Sequence, residues 1–130
     1  MKKINLATKK LKVHQDQRGW LAEILRGEAV KGSFGQLLIT VAKPGFTKGN
    51  HYHLRKREWY CVVGGRGELS VWSKDGKNKT KLQLSSEELM LVEMPKKYFH
   101  KITNNGDEDL VLVVYLSEPY NPDDPDTFYE

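Results

Sequence analysis

The sequence predicts an all-β fold, either a sandwich or a barrel, on three observations. Short runs rich in Val, Ile, Leu, Tyr and Trp follow one another, as is typical of β-strands. Turn-forming residues separate these runs, since the chain contains 11 glycines and 5 prolines. No segment of about ten residues or more keeps a 3.6-residue apolar period, so we expect no long helix. The predicted strands are Gln36 to Val41, Glu58 to Val63, Glu68 to Trp72, Leu89 to Glu93, His100 to Thr103 and Leu110 to Tyr115.

Gly- and Asn-rich segments between these runs predict the turns. Gly64–Gly67, Lys74–Lys77 and Asn104–Asp107 have the composition of hairpin-type turns. The last stretch, Pro119–Glu130, is rich in Pro and Asp, which excludes a central strand, and its aromatic residues indicate that it packs on the barrel. We therefore expect a single domain over residues 1–130, with 119–130 as a packed tail.

Composition narrows the classes of function. No apolar stretch approaches the roughly 20 residues of a membrane helix, and the basic N-terminus is not followed by the apolar core of a signal peptide. Cys61 is the single cysteine, so we expect no internal disulfide and a cytoplasmic location. The net charge of +4 is compatible with an anionic small ligand or with a solvated lysine-rich surface. No basic stripe with interleaved aromatic residues is present, so we do not expect nucleic-acid binding.

The strongest chemical signal is a group of histidines and one glutamate. His51 and His53 are two residues apart, and residues i and i+2 of a strand share a face. Glu58 follows at an odd spacing, so the chain must turn within residues 54–57 for Glu58 to return to the same cavity on the next strand. The whole pattern is Gly45-x5-His51-x-His53-x4-Glu58-x6-Gly65.

A second pattern, Pro95-x4-His100-x3-Asn104, places a third histidine at the start of a strand. Three imidazoles and one carboxylate suit a divalent metal, zinc first, with Fe, Mn, Ni or Co as alternatives. We expect this metal to be bound by His51, His53, Glu58 and His100. An octahedral ion would keep room for water or substrate, whereas a tetrahedral zinc would have none and would be structural. The competing interpretation is an apolar-cored barrel whose histidines are merely hydrogen-bonded.

These two patterns resemble the two motifs of the cupin superfamily, which implies a double-stranded β-helix, or jelly-roll barrel. The chain departs from the second motif at Leu89 and Lys97, where glycine is usual, and this concerns the turn geometry more than the ligands. A narrower resemblance, from about Arg18 onward, is to the C-terminal cupin (C3-epimerase) domain of the bifunctional UDP-sugar epimerase/reductase of bacterial capsule biosynthesis. It is carried by Arg18–Ile24, Lys43–His53 and Asn121–Thr127.

The resemblance implies a C3 epimerase or ketoisomerase of a nucleotide-linked 4-keto-6-deoxy sugar in bacterial surface polysaccharide biosynthesis. In that family a fused dehydrogenase domain then reduces the ketone. Gly64–Gly67 is not a dinucleotide-binding fingerprint, so a separate reductase would act downstream. Epimerisation needs a base that titrates near working pH, which favours histidine, and a cation or donors for the enolate oxygen.

The candidate catalytic residues are His53, Tyr60 and Lys48. The sequence leaves open which histidine would be free to act as base. Tyr60 lies two residues after Glu58, so it should face the same cavity and could donate a proton. Lys48 could bind a diphosphate or polarise the ketone, and with it we predict four further substrate-binding residues: Arg26, Gln36, Trp72 and Tyr98.

Two other functions remain open at this point. A metal-dependent dioxygenase would use the same ligands with a redox-active metal and would consume oxygen. A non-catalytic sugar-binding or assembly module would keep the metal as a structural element and would not exchange substrate protons with solvent. A homodimer is expected because small cupin barrels have exposed sheet edges, and Trp20 and Phe34 would suit its interface.

Overall fold

The computed structural model describes residues 3–17, 19–22, 24–25, 31 and 34–130. Short β-branched and aromatic runs form strands here, as the sequence predicts, and no helix occurs in these ranges. None of the described residues belongs to a helix that is long and apolar enough to cross a membrane. The strands are β1 Ala7–Lys10, β2 Val13–Asp16, β3 Gly19–Ala22, β4 Gln36–Ala42, β5 Thr47–Tyr52, β6 Glu58–Gly64, β7 Arg66–Trp72, β8 Lys79–Ser85, β9 Met90–Met94, β10 Phe99–Thr103, β11 Leu110–Leu116 and β12 Phe128–Tyr129.

The strands form two five-stranded antiparallel sheets that face each other. Sheet 1 has the order β1-β9-β6-β11-β4, and sheet 2 has the order β12-β5-β10-β7-β8. From β4 onward the chain passes back and forth between the sheets, and β2 and β3 form a separate two-stranded ribbon. This alternation between two packed sheets is that of a jelly roll, so the all-β cupin fold expected from the sequence is confirmed.

The turns follow the predicted positions, but two of them are not hairpins. Lys74–Lys77 does join a hydrogen-bonded pair, β7 and β8. In contrast, Gly64–Gly67 joins β6 of sheet 1 to β7 of sheet 2, and Asn104–Asp107 leads from sheet 2 back to sheet 1. The predicted hairpin assignment of these two turns is therefore wrong, because a glycine turn alone does not reveal whether its flanking strands pair. Gly65 has φ +71, and a Cβ there would lie 2.4 Å from the carbonyl oxygen of Asp109.

Apolar side chains fill the space between the sheets over most of its length. Fully buried members include Leu69, Ile102, Leu110 and Leu112. A second cluster lies on the outer face of sheet 1, where the N-terminal segment covers it, and it comprises Leu11, Trp59, Cys61, Leu89, Leu91 and Tyr115. The residues that face the interior are polar at the end of β5 and at the beginning of β6 and β10. One end of the interior is therefore polar.

Candidate functional site

The polar end of the barrel gathers the four residues predicted as ligands. His51 lies in β5 and pairs with His100 of β10 in sheet 2. His53 follows β5 directly, and a bend at residues 54–55 returns the chain so that Glu58 begins β6 in sheet 1. One donor atom from each of the four residues can be chosen so that all lie within 4.8 Å of one another. The cluster therefore bridges the two sheets, and the turn expected between His53 and Glu58 is present.

Glu58 is the centre of this cluster. Its Oε1 lies 3.1 Å from Nε2 of His53 and 2.8 Å from Nε2 of His100. The ring of His51 completes the group, with centroids 4.9 Å from His53 and 4.8 Å from His100. His53 and Glu58 are each 5% exposed and His100 is 1% exposed, so the carboxylate and two of the imidazoles are removed from bulk water.

The donors fit a divalent metal ion. Both ring nitrogens of His51 and the Nδ1 of His100 are buried without a hydrogen bond among the described residues. Buried polar atoms normally have a partner, because leaving one unpaired costs about 1–3 kcal/mol. Three imidazoles and one carboxylate form a nitrogen–oxygen set that suits Zn²⁺ and its neighbours in the first transition row. These four residues could hold such an ion together, since their donor atoms already lie close to one another.

The turn before β10 contains Lys97 where the cupin motif usually has glycine. Lys97 adopts φ +70, the left-handed conformation that the usual glycine would adopt. Its backbone N–H donates to the carbonyl oxygen of His53 at 2.7 Å. The lysine therefore keeps the glycine's turn, and this turn ties His53 to the segment that leads to His100.

The charges of the cluster are set by burial and by mutual contacts. Burial and the neighbouring His100 lower the pKa of His51 to about 4. Burial acts in the same sense on His53, but its hydrogen bonds to Glu58 and Asp126 outweigh this and raise the pKa of His53. Burial would raise the pKa of Glu58, yet its contacts with His100 and His53 lower it well below the usual range. At neutral pH His51 is therefore neutral and Glu58 is ionised, as metal ligands must be.

These shifts predict a divided histidine titration in the metal-free protein. The imidazole of His51 should remain neutral down to about pH 4, whereas His53 should stay protonated above its ordinary value of 6.5. Side-chain NMR of each ring, followed from pH 3 to pH 9, measures both midpoints. Titration of both rings together near pH 6.5 would contradict the geometry of the cluster.

A β-bulge places Lys48 on the same face as the ligands. On a regular strand Lys48 and His51, three residues apart, would point to opposite faces. The pairing with β10 shifts at Gly49–Asn50, where φ is +93 and +69, so one residue is extra. As a result His51 lies opposite His100 and Lys48 lies opposite Ile102, whose side chain is in the inner core. Lys48 therefore belongs to the inner face.

Tyr60 lies on the inner face next to the ligands. It follows Glu58 by two residues on β6, is 4% exposed, and meets the ring of His100 edge-on at 5.7 Å. Burial, assisted by the charge of Glu58, raises the pKa of Tyr60 well above its ordinary value of 10. The phenol therefore keeps its proton at any working pH, and it can serve as a donor rather than as a base.

Gln36 reaches the polar end of the barrel, and Tyr98 packs against the inner core. Leu116 pairs with Gln36 on one side and with Glu58 on the other, so Gln36 and Glu58 share a row of the inner face. The side-chain oxygen of Gln36 accepts a hydrogen bond from the backbone N–H of Tyr120 at 3.1 Å. Tyr98 is partly buried against the inner core. Gln36 therefore shares a row with Glu58, whereas the contacts of Tyr98 are with the inner core.

Trp72 does not reach this site. Val71 pairs with His100 and lies in the inner core, so the next residue, Trp72, faces outward. There it stacks on Phe99 with centroids 5.5 Å apart at 10°. The predicted contact between Trp72 and substrate is therefore corrected: the parity of β7 turns its ring away from the cavity. Arg26, which was predicted to bind substrate, lies outside the described residues.

The sequence prediction missed the contribution of the C-terminal tail. Tyr129 of β12 pairs with His51 of β5, and their rings meet edge-on at 5.5 Å. Asp126 is 4% exposed and lies against the segment that follows His53. The Asn-Pro and Pro-Asp-Thr pattern of the tail was visible in the sequence, but nothing in it indicated a contact with residues about 70 positions earlier.

Comparison with known proteins gives a consistent result. The family model described as "Polysaccharide biosynthesis C-terminal domain" matches residues 14–128. The spore coat polysaccharide biosynthesis protein SpsL of Bacillus subtilis is 30% identical over 124 residues, which are 91% of this chain and 82% of SpsL. The UDP-2-acetamido-2,6-beta-L-arabino-hexul-4-ose reductase of Pseudomonas aeruginosa is 29% identical over 116 residues, which are 89% of this chain. The chain spans only 30% of that reductase.

Solved structures agree with this grouping. The capsular polysaccharide assembling protein CapF from Staphylococcus aureus superposes with a TM-score of 0.72 at 33% identity, over 92% of this chain and 34% of CapF. The dTDP-6-deoxy-D-glucose-3,5-epimerase RmlC from Legionella pneumophila, solved with dTDP-4-keto-L-rhamnose, superposes with a TM-score of 0.79 over 95% of this chain and 71% of RmlC. At 18% identity the second similarity concerns the fold.

Proposed function

Because the chain belongs to the polysaccharide biosynthesis C-terminal domain family, we propose that it inverts or isomerises a nucleotide-linked 4-keto-6-deoxy sugar at C3. The observation that carries this proposal is the cluster of His51, His53, Glu58 and His100, with Tyr60 and Lys48 on the same inner face. A relative that reduces a UDP-linked hexul-4-ose and a fold neighbour solved with a dTDP-4-keto sugar support the choice of substrate. The setting is bacterial surface polysaccharide biosynthesis in the cytoplasm.

The reaction needs one group to take the C3 proton and another to return a proton to the opposite face. The C4 ketone acidifies the C3 proton, so a neutral amine or imidazole is sufficient as acceptor. A neutral imidazole of the cluster could accept it, with His53 as the predicted base, and Tyr60 could donate one. Lys48, on the same face, could polarise the ketone or bind the diphosphate. The phenol of Tyr60 is held protonated, so it carries a proton to donate and cannot act as the base.

The four ligand residues would hold a divalent ion, zinc first. Such an ion supplies Lewis-acid polarisation of the C4 carbonyl when it is bound. If all four residues bind it, the lone pair of His53 is occupied and the base must be another group. Gln36 and Tyr98 would help to orient the nucleotide sugar. The product keeps its ketone, so a reductase would consume it.

Product analysis tests this function against its two alternatives. Zinc-loaded protein is incubated with a UDP-4-keto-6-deoxyhexosamine, borohydride is added to trap the ketones, and the C3 configuration is read by NMR. We expect a C3-inverted or rearranged sugar without oxygen uptake. Oxygen consumption with oxidised sugar would indicate a dioxygenase, and unaltered sugar that nevertheless binds would indicate a non-catalytic module. Either of these outcomes would refute the proposed function.

We further propose that two copies of the chain associate through the edge of sheet 1. β4 ends the sheet, and its outer face exposes Leu37, Ile39 and Val41 at 59%, 67% and 42%. No residue from Gln36 to Ala42 is charged, so nothing along the strand opposes self-pairing. An edge strand that pairs antiparallel with its own copy forms an isologous, closed interface. Phe34, which was predicted at the interface, lies just before this strand and is 77% exposed. The side chain of Trp20, the other predicted interface residue, is not among those that the structure describes.

Changing Ile39 to glutamate is therefore expected to convert the dimer into a monomer. Ile39 lies between Leu37 and Val41 on the exposed face of β4. A glutamate at this position would lose its hydration in both copies of the interface, and burying a carboxylate without a partner is unfavourable. Light scattering coupled to size-exclusion chromatography measures the mass. Val13→Glu is the control, because Val13 is 44% exposed on β2, away from β4. A wild-type monomer, or a dimer that survives Ile39→Glu, would exclude the β4 interface.

A further inference from the structure

Asp126 binds the turn that separates two of the ligand residues. Its Oδ1 accepts a hydrogen bond from the N–H of Leu54 at 3.0 Å. Its Oδ2 accepts from the N–H of Arg55 at 2.9 Å and from that of Lys56 at 2.8 Å. One buried carboxylate therefore satisfies three consecutive backbone donors between His53 and Glu58. Charge-assisted bonds of this kind are roughly twice as strong as neutral ones, so they fix the path of the turn.

The backbone carbonyl of the same residue orients His53. Its oxygen lies 2.7 Å from Nδ1 of His53. A carbonyl oxygen can only accept, so this hydrogen bond requires the proton on Nδ1. Nε2 lies 3.1 Å from the carboxylate of Glu58, which can also only accept, so the two acceptors compete for the single proton of the neutral ring. The contact with the tail is the shorter of the two, 2.7 Å, and it favours the tautomer that leaves the lone pair on Nε2 for a metal ion or a proton.

The tail is anchored on both sides of this contact. Asp126 has φ +47, which turns its side chain and its carbonyl toward the same segment. After it, Phe128 pairs with Tyr52 and stacks on its ring at 5.1 Å, and Tyr129 pairs with His51. The N–H of Glu130 then reaches the carbonyl oxygen of Asn50 at 3.3 Å. The position of Asp126 is therefore held by β12 as well as by its own hydrogen bonds.

We propose that Asp126 is a positioning residue of the site: its carboxylate fixes the turn after His53, and its carbonyl holds His53 with the proton on Nδ1 and the lone pair on Nε2. The consequence for metal affinity rests on the proposed function, whereas the tautomer does not. A C-terminal segment far from the ligands in sequence thus determines how one of them presents its nitrogen.

The test combines a tautomer measurement with a metal titration. Long-range ¹H–¹⁵N NMR of wild-type protein at pH 9, without metal and with zinc, should find neutral His53 protonated on Nδ1. Asp126→Asn keeps a residue that tolerates positive φ but loses the charge and one acceptor. It should give a mixture of tautomers in the metal-free state and reduce zinc affinity roughly 10–100-fold, the usual effect of groups that orient a ligand. Asp123→Asn, an exposed aspartate of the same tail, is the matched control and should change neither.

The outcomes separate this inference from the proposed function. Wild-type His53 protonated on Nε2 overturns the positioning role, and this measurement does not require the variant to fold. A folded Asp126→Asn protein with an unchanged tautomer and unchanged zinc affinity overturns it as well. If wild type binds no zinc but Asp126→Asn still disturbs the tautomer, the metal proposal fails while the positioning role of Asp126 stands.

Discussion

Replacing His100 with alanine is expected to lower zinc affinity by more than about 100-fold, since loss of a ligand should exceed the roughly 10–100-fold cost of losing a group that orients one. His100 is 1% exposed, and its Nδ1 has no hydrogen bond among the described residues. Its removal leaves Glu58 without the contact at 2.8 Å. Competition with a chromophoric chelator measures the affinity, and C3 chemistry on the 4-keto sugar should fall with it.

Thermal unfolding provides a second measure of the same change. A ligand present at 100 times its Kd stabilises the folded state by about 2.7 kcal/mol. For a chain of this length, each kcal/mol moves Tm by roughly 4 °C, so zinc should raise the Tm of wild type by roughly 10 °C. His100→Ala should lose this rise, while His14→Ala, which changes an exposed histidine of β2, should retain it. An equal zinc response in both variants would contradict the proposed centre.

Changing Tyr60 to phenylalanine is expected to lower kcat by roughly 10²–10⁴-fold while leaving KM and zinc affinity nearly unchanged. The substitution removes only the hydroxyl group that is proposed to donate the proton. Tyr60 is 4% exposed beside His100, so the ring continues to fill the same space. Steady-state kinetics with the 4-keto sugar separates kcat from KM.

Tyr52→Phe is the matched control for this experiment. Tyr52 is 8% exposed and lies between two ligands in sequence, but its ring stacks with Phe128 on the opposite face of β5. Its substitution should leave kcat within about threefold of wild type, because it touches no reacting atom. A Tyr60→Phe enzyme as active as the Tyr52→Phe enzyme would remove Tyr60 from the mechanism.

Much of the fold could be predicted from the sequence, because the residues buried in the strands are also residues that favour β-structure. The apolar strands of both sheets, such as Glu58–Gly64 and Leu110–Leu116, appear as β-branched and aromatic runs. In contrast, β8 was not predicted, because lysines and a glutamine alternate with its inward residues, as is usual for an edge strand. The ligands were predictable since their spacing has a geometric meaning on strands that a short turn connects.

The remaining parts of the site depend on relations that local patterns do not contain. Lys48 was predicted as a site residue, although regular strand parity would place it on the face opposite His51, and only the pairing with β10 reveals the bulge at Gly49–Asn50 that brings both to one face. The prediction for Trp72 was wrong, since its aromatic character suggested a substrate contact while strand parity turns it outward. The hydrogen bonds of Asp126 join residues about 70 positions apart, and closure of so long a loop leaves no signature in the sequence near either end.

Solvent exchange at C3 of the sugar tests the proposed chemistry most directly. Metal-loaded protein is incubated in heavy water with a UDP-4-keto-6-deoxyhexosamine, and the C3 proton is followed by NMR. The proposed function predicts loss of that signal at a rate that falls with Tyr60→Phe and is unaffected by removal of oxygen. Folded, zinc-loaded protein that leaves the C3 proton in place on both UDP- and dTDP-linked 4-keto sugars would contradict it.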